Sequence, residues 1–353
     1  MSRFFSEKFA DLEAYVPGEQ PKDQQYIKLN TNENAFPPHP AVAEAARRAA
    51  GTLHLYSDPE CAEIRKKLGE RLGLTPEELV MVNGSDEVLN FAFMAFCDER
   101  TPAVFPDITY GFYPVFAVLH GIPYREIPLL EDLTIRTDDY LNAGGTIFIA
   151  NPNAPTGIAL RRSEIEKILR ANPDHIVVVD EAYVDFGAES CIPLIRKYDN
   201  LLVTQTFSKS RSMAGARLGF GAANPEIIRD LETIRYSTNP YNLNSMTLAA
   251  GAACLENDGY NTENCRTIMR TRDETGEALR KLGFEVTDSS ANFLFVRHPD
   301  ISGEELYLRL KKAGILIRHF RVDRIRDYNR ISIGTREQME ALTAAAEKIL
   351  SGQ

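Results

Sequence analysis

Two residues able to do chemistry stand directly after runs that read as buried strands. The apolar run Ile176–Val179 ends in Asp180-Glu181-Ala182-Tyr183, and Leu201–Thr206 runs into Phe207-Ser208-Lys209-Ser210. In an open parallel sheet, ligands sit beyond the carboxyl ends of the strands, so an Asp and a Lys converge on one edge. A lysine in a partly desolvated site gives up its charge readily and can attack an aldehyde, forming an imine. Taken alone, a loop lysine is more often a solvated surface group. Its surroundings decide between the two.

Those surroundings are elements that alternate. From about residue 75 to 255, short β-rich apolar runs alternate with amphipathic helical patterns, which predicts a mainly parallel sheet with helices on both faces. The strands expected are Ala103–Phe105, Thr146–Ala150, Ile176–Val179, Leu201–Thr206 and Gly219–Ala223. Capping boxes, in which a hydroxyl and a later Glu or Gln satisfy free backbone N–H groups, are expected at Thr75/Glu78, Ser163/Glu166, Ser302/Glu305 and Thr335/Gln338. After Asn257 the order becomes a long charged helix, a strand pair near Phe293–Arg297, a helix to Ala313, strands Ile315–Arg318 and Arg330–Ile333, and a last helix. The expected organisation is an arm over residues 1–40 crossing the larger domain's surface, a large α/β domain over 41–256 and a smaller α+β domain over 257–353.

The chain has 353 residues, enough for about two domains with sizeable cores. Fifty acidic and forty basic side chains leave a net charge of −10, without the basic footprint of a nucleic-acid binder. An anionic ligand must therefore be captured locally. Residues 311–330 offer such a place, with seven Lys or Arg and two Asp. Arg321, Arg324 and Arg326 suit a solvated face, whereas Arg318 and Arg330 accompany apolar strand-like residues and should point inward more often. No apolar run reaches the ~18 residues of a membrane span, and the N-terminus has no signal-peptide core, so a cytoplasmic location is expected. The five cysteines form no CxxC pair and the six histidines no metal-ligand spacing. Reduced, mostly buried thiols and no metal are expected.

Thr206-Phe207-Ser208-Lys209-Ser210-Arg211-Ser212-Met213-Ala214-Gly215, followed by Arg217 and Gly219, resembles the lysine signature of fold-type-I aminotransferases. Asn83-Gly84-Ser85-Asp86-Glu87 opens a helix whose free N–H groups suit a phosphate, like the family's phosphate cup, although an ordinary helix cap has the same look. Asp107-Ile108-Thr109-Tyr110-Gly111-Phe112-Tyr113 and Asn151-Pro152-Asn153-Ala154-Pro155-Thr156-Gly157 are similar to two further family segments. The resemblance implies an aspartate-aminotransferase-like fold and pyridoxal 5'-phosphate carried as a Schiff base on Lys209. It implies that Gly84, Ser85, Asp86, Thr206, Ser208 and Arg217 surround the cofactor phosphate and that Tyr110 stacks on the ring. Asp180 would keep the ring nitrogen protonated, Tyr183 would tune the ring oxygen, and free Lys209 would move the substrate's Cα proton. The family commonly has Asn where this chain has Ala154, so either Asn153 shifts into that role or Tyr183 carries it alone.

The resemblance covers nearly the whole chain. It is closest to the histidinol-phosphate aminotransferase branch, through Leu29-Asn30-Thr31-Asn32-Glu33-Asn34, Tyr56 in Leu-Tyr-Ser-Asp-Pro, and Arg330-Ile331-Ser332-Ile333-Gly334-Thr335-Arg336-Glu337. It implies a homodimer in which Tyr56 reaches the partner's cofactor phosphate, and histidinol phosphate and glutamate or 2-oxoglutarate as substrates. It assigns Arg318 and Arg330, with Tyr15 and Tyr241, to the substrate's anionic end. Threonine-phosphate decarboxylase and aromatic aminotransferases share these motifs and stay open as alternatives. A non-catalytic ligand-binding module on the same fold is a third, opposed by the intact Lys209.

Overall fold

The computed structural model describes every residue except Met1, Asp11 and Gln353. In chain order the strands are β1 (Ile27–Lys28), β2 (Leu79–Val82), β3 (Ala103–Pro106), β4 (Tyr124–Ile127), β5 (Thr146–Ala150), β6 (Val177–Asp180), β7 (Leu201–Thr206), β8 (Gly219–Ala223), β9 (Glu285–Val286), β10 (Phe293–Arg297), β11 (Ile315–Leu316), β12 (Arg318–His319) and β13 (Asn329–Ser332). The α-helices are α1 (Pro40–Ala49), α2 (Ala62–Leu72), α3 (Ser85–Phe96), α4 (Phe112–His120), α5 (Arg162–Ala171), α6 (Pro225–Thr238), α7 (Ser245–Glu256), α8 (Asp258–Lys281), α9 (Gly303–Lys312) and α10 (Arg336–Leu350).

Strands β2 to β8 form one sheet in the order β2-β8-β7-β6-β5-β3-β4. Neighbours from β7 to β4 are parallel, while β8 is antiparallel to both β7 and β2. The inner strands are buried along their whole length, with no polar alternation, because helices cover both faces. Two strands of this sheet, β2 and β4, were not expected. The edge strand β4 reads Tyr-Arg-Glu-Ile and exposes its first three residues, so no apolar run marks it.

In the C-terminal part, β12-β13-β10-β9 form an antiparallel sheet. Its core gathers Phe293, Leu294 and Ile331 with Leu306 and Leu310 of α9 and Met339 and Leu342 of α10. The expected strand Ile315–Arg318 is split. Residues 315 and 316 pair in parallel with β1, and Arg318 turns to pair with β13. The N-terminal segment thereby adds a strand, β1, beside the C-terminal part. Leu29 N donates to Leu316 O at 2.8 Å, Ser332 N donates to Leu29 O at 2.9 Å, and Leu29 belongs to the smaller core.

The Thr75/Glu78 and Thr335/Gln338 boxes are present, and Ser302 accepts from Glu305 N. Ser163/Glu166 is not a box. Helix α5 starts two residues earlier than such a box would set it, at Arg162, which places Ser163 inside its first turn with no capping bond. All five cysteines are buried and unpaired. A cluster in which Ile108, Leu129 and Leu133 pack on Phe295 and Ile325 joins the large sheet's loops to the C-terminal part. Arg324 crosses the same seam to Asp107 and to the carbonyl of Leu129. This seam holds the C-terminal sheet against the segments that leave the carboxyl edge of the large sheet.

Candidate active site

Strand direction explains which side chains meet. β2, β3, β5, β6 and β7 all point one way, so the segments after them leave from one edge of the sheet. β8 runs the other way and starts at that edge. Its first residue, Gly219, pairs with Val82 at the end of β2 and Thr206 at the end of β7. Arg217, two residues before Gly219, is thus set beside the start of α3 and beside Ser208.

This corner suits a phosphate. Helix α3 begins at Ser85, and its unbonded N–H groups face the edge with the positive end of the helix dipole. Arg217 lies 3.4 Å from Ser208 Oγ and 3.3 Å from Asp86 Oδ2. The close approach depends on glycine. A Cβ on Gly84, whose φ is +79°, would stand 2.4 Å from Arg217 Nη2, and one on Gly219 would stand 2.5 Å from Ser85 N. Thr206 Oγ1 accepts from Ser208 N at 3.1 Å and so shapes the turn toward Lys209.

Ser85, Asp86, Tyr110, Asp180, Tyr183, Thr206, Ser208, Lys209 and Arg217 all line one chamber of about 100 Å³. It shares Asp86, Tyr110, Ala154, Tyr183, Lys209 and Arg217 with a larger cavity of about 600 Å³, so the two are one continuous space. Lys209 Nζ lies 5.6 Å from the Tyr183 ring centroid and donates to Thr31 O at 3.3 Å. Tyr110 donates to Asp86 at 2.7 Å, and burial with the Asp86 charge raises its phenol well above the ordinary range.

Asp180 is the clearest sign of a missing partner. Its carboxyl is buried and, among the described residues, meets only Ala182 N at 3.2 Å and, at 3.5 Å, the Tyr113 hydroxyl. Burial, then the nearby Asp86 charge, raises it to about 7. A buried carboxylate with so little support calls for a cation, and a protonated ring nitrogen is one. Glu181 next to it is raised to about 7 as well, also by burial, but it is engaged by Cys191 N, Ser190 and Gln205 and faces away into the fold. A pyridine ring with a phosphate arm therefore fits these residues, its anionic end at Arg217 and α3 and its nitrogen at Asp180.

The larger cavity ends at two guanidiniums. Arg318 and Arg330 are register partners on the antiparallel strands β12 and β13, and both line the cavity with Tyr15 and Phe320. Like charges directly opposite on a sheet destabilise it, so the pair marks a place built for an anion. Arg318 donates to Val16 O and Pro17 O at 3.2 and 3.3 Å, and Arg330 Nη2 donates to Asn30 O at 3.2 Å. Arg330 Nε is buried with no acceptor, and burial pulls this guanidinium below its usual range. Tyr15 stacks on Phe112 at 4.2 Å and closes the side.

Two expected residues, Asn153 and Tyr241, do not line this cavity. The Asn153 amide donates to Ile108 O and Thr156 Oγ1 and accepts from Thr109 Oγ1, so it ties its own loop to the segment after β3 and is turned away from the space beside Ala154. Tyr241 is separated from the two arginines and lies on the surface, where it stacks on Tyr56 at 4.5 Å. Tyr56 is 83% exposed and also outside its own chain's cavity. Two residues of the site had not been assigned. Tyr113 stands behind the chamber wall, its ring edge-on to Tyr110 at 5.9 Å and its hydroxyl 3.5 Å from Asp180. Asn32 is buried and donates to the Tyr183 hydroxyl at 2.9 Å, and its only trace in the sequence is the run of alternate asparagines at 30, 32 and 34. Among the described residues there is no group of His, Cys, Asp or Glu that could hold a metal ion.

The fold and this edge-of-sheet lysine site are those of a class of enzymes that move amino groups. Residues 24–345 match the aminotransferase class I and II family, and the chain belongs to it. Its full-length relatives narrow the class. A histidinol-phosphate aminotransferase of Brachyspira hyodysenteriae is 45% identical over 352 residues, 99% of each chain. Histidinol-phosphate aminotransferase 1 of Bordetella parapertussis is 47% identical over 355 residues, 99% of this chain and all of the relative. Among solved structures, the histidinol-phosphate aminotransferase of Sinorhizobium meliloti in complex with pyridoxal-5'-phosphate superposes with a TM-score of 0.86 at 25% identity, covering 93% of this chain and 92% of that one.

Proposed function

We propose that the protein catalyses transamination of L-histidinol phosphate with 2-oxoglutarate, giving imidazole acetol phosphate and L-glutamate, as a cytoplasmic homodimer in histidine biosynthesis. The observation that carries the substrate reading is the pair of cross-strand guanidiniums, Arg318 and Arg330, in the same cavity as Lys209. An acidic protein needs a focused positive site to hold a dianion, and two planar donor forks match phosphate oxygens as a single lysine cannot. The same pair can accept the carboxylate of glutamate, so one site serves both half-reactions. Relatives that carry the histidinol-phosphate name over the full length support the reading.

Bound pyridoxal phosphate supplies a carbonyl for the amine and a ring that absorbs the electrons left when a Cα–H bond breaks. Around it each side chain has a definite task. Ser85, Ser208, Arg217 and the start of α3 would hold the phosphate, and Tyr110 would cover the ring. Asp180 holds a proton at the ring nitrogen, Tyr183 donates to the ring oxygen, and Lys209 Nζ moves the proton at the substrate's Cα. The exposed Leu53, Leu55, Tyr56 and Tyr241 support a subunit interface that carries Tyr56 to the partner's phosphate site.

The test compares kcat/KM for histidinol phosphate, histidinol, phenylalanine and threonine phosphate in the wild type and in Arg330→Ala and Arg318→Ala. Arg330→Ala should lower kcat/KM for histidinol phosphate and glutamate by about 30- to 150-fold, the scale of a charge-assisted contact whose partner is left unpaired. Arg318→Ala should hurt the phosphate substrate more than glutamate, since a dianion has more charge to satisfy. Equal use of histidinol or phenylalanine refutes the specificity, and CO₂ release from threonine phosphate replaces it with a decarboxylase.

A further inference from the structure

The arm segment Asn30–Asn34 touches several groups of the site, and Asn32 does so with a fixed direction. It is 1% exposed and has φ of +56°, a conformation asparagine tolerates better than most residues. Asn292 Nδ2 donates to Asn32 O at 3.0 Å and holds the backbone there. The Asn32 side chain lies between Ser332 and Tyr183, at 3.0 Å from Ser332 Oγ and 2.9 Å from the Tyr183 oxygen. Which end of the amide faces which neighbour is decided by Ser332. Asn32 N–H can only donate, and it donates to Ser332 Oγ at 2.8 Å. The Ser332 hydroxyl keeps its own proton to give, and its other contact is the Asn32 side chain. The carbonyl end of the amide therefore faces Ser332, and the NH₂ end faces Tyr183.

Tyr183 Oη accordingly accepts from Asn32, and its own proton must leave in another direction. Among the described residues Asn32 is its one hydrogen-bond partner. Tyr183 lines the chamber, and the adjoining wall residue Ala154 offers no donor.

We propose that Asn32 is a positioning residue that, held by Ser332, turns the Tyr183 hydroxyl proton into the cavity to serve as the donor to the cofactor's ring oxygen. This rests on the reading that Tyr183 stands at that oxygen. The charged and titratable groups facing Tyr183 are Lys209, Arg330 and Tyr15, with Asp86, Asp180 and Arg217 on the same walls. All of them stay in place in the variants below.

The experiment is an absorbance titration of the yellow holoenzyme across pH. A weaker donor at the ring oxygen leaves more negative charge there, so Lys209 Nζ keeps its proton to higher pH. Asn32→Gly removes the amide without straining the backbone, because glycine adopts positive φ freely. It should raise the spectral midpoint by about half to one pH unit, the equivalent of one hydrogen bond. In a Tyr183→Phe background the same substitution should add nothing. An equal shift in both backgrounds, or none in the wild type, overturns the proposal. A Tyr183→Phe midpoint identical to wild type would instead remove Tyr183 from the ring oxygen and take the underlying reading with it. Should Asn32→Gly not fold, Ser332→Ala keeps the amide but frees it to turn. It should move the midpoint the same way by a smaller amount, and an unmoved midpoint refutes the idea.

Discussion

Replacing Asp180 by Asn should have opposite effects on the cofactor-free protein and on the working enzyme. The carboxyl is raised from 3.8 to about 7, first by burial and then by Asp86. A raised carboxyl binds its proton more tightly in the folded state than in the unfolded one. Its penalty is therefore absent below about pH 4, develops as pH rises, and is complete above about pH 7. At roughly 1.4 kcal/mol per unit, a rise of about 3 units sets a ceiling near 4 kcal/mol on the destabilisation. Asparagine has the same shape and no charge. Cofactor-free Asp180→Asn should thus match wild type near pH 4 and become more stable than it by up to about 4 kcal/mol at pH 8. In the holoenzyme the carboxylate gains its cation and the advantage should vanish, while transamination falls by about 10²-fold or more, as when a preorganised charge is removed. Urea unfolding of both proteins at pH 4, 6 and 8, with and without pyridoxal phosphate, measures the first effect, and single-turnover absorbance measures the second. A stability difference that does not change with pH in the cofactor-free proteins, or near-normal turnover, would refute the reasoning.

Lys209→Ala should yield colourless protein, and borohydride treatment of the wild type should fix the cofactor on the peptide holding Lys209; a label on another lysine would contradict the site. Gly84→Ala puts a methyl group 2.4 Å from Arg217 Nη2 at a φ of +79°, so pyridoxal phosphate affinity by fluorescence titration should drop about tenfold or more. An unchanged affinity would detach Arg217 from the phosphate. Mixing inactive Lys209→Ala subunits with subunits carrying a weakened Tyr56→Phe should restore one fully wild-type site per mixed dimer if Tyr56 works across the interface. No gain on mixing would place Tyr56 outside the site.

The local code was legible wherever chemistry and burial act on neighbouring residues. Lys209 and Asp180 could be placed because each follows a run apolar enough to be a central strand, and such a run ends at the ligand edge of a parallel sheet. Gly84 and Ser85 came from the Asn83–Glu87 segment and Arg217 from the lysine signature, both of which the resemblance sets around a phosphate. What the chain alone could not decide were contacts made by polar side chains over long separations. Asn153 sits in the right motif, yet hydrogen bonds to Ile108 and Thr109, 45 and 44 residues away, and to Thr156 turn it away from the cavity. The resemblance assigned Tyr241 to the substrate's anionic end, but tertiary packing sends it to the surface beside Tyr56. Arg318 and Arg330 are twelve residues apart, and only the antiparallel register of β12 on β13 makes them a pair. Asn32 and Ser332 are 300 residues apart, and the direction of one hydroxyl proton depends on their meeting, because a hydrogen bond requires donor and acceptor within about 3 Å whatever their distance along the chain.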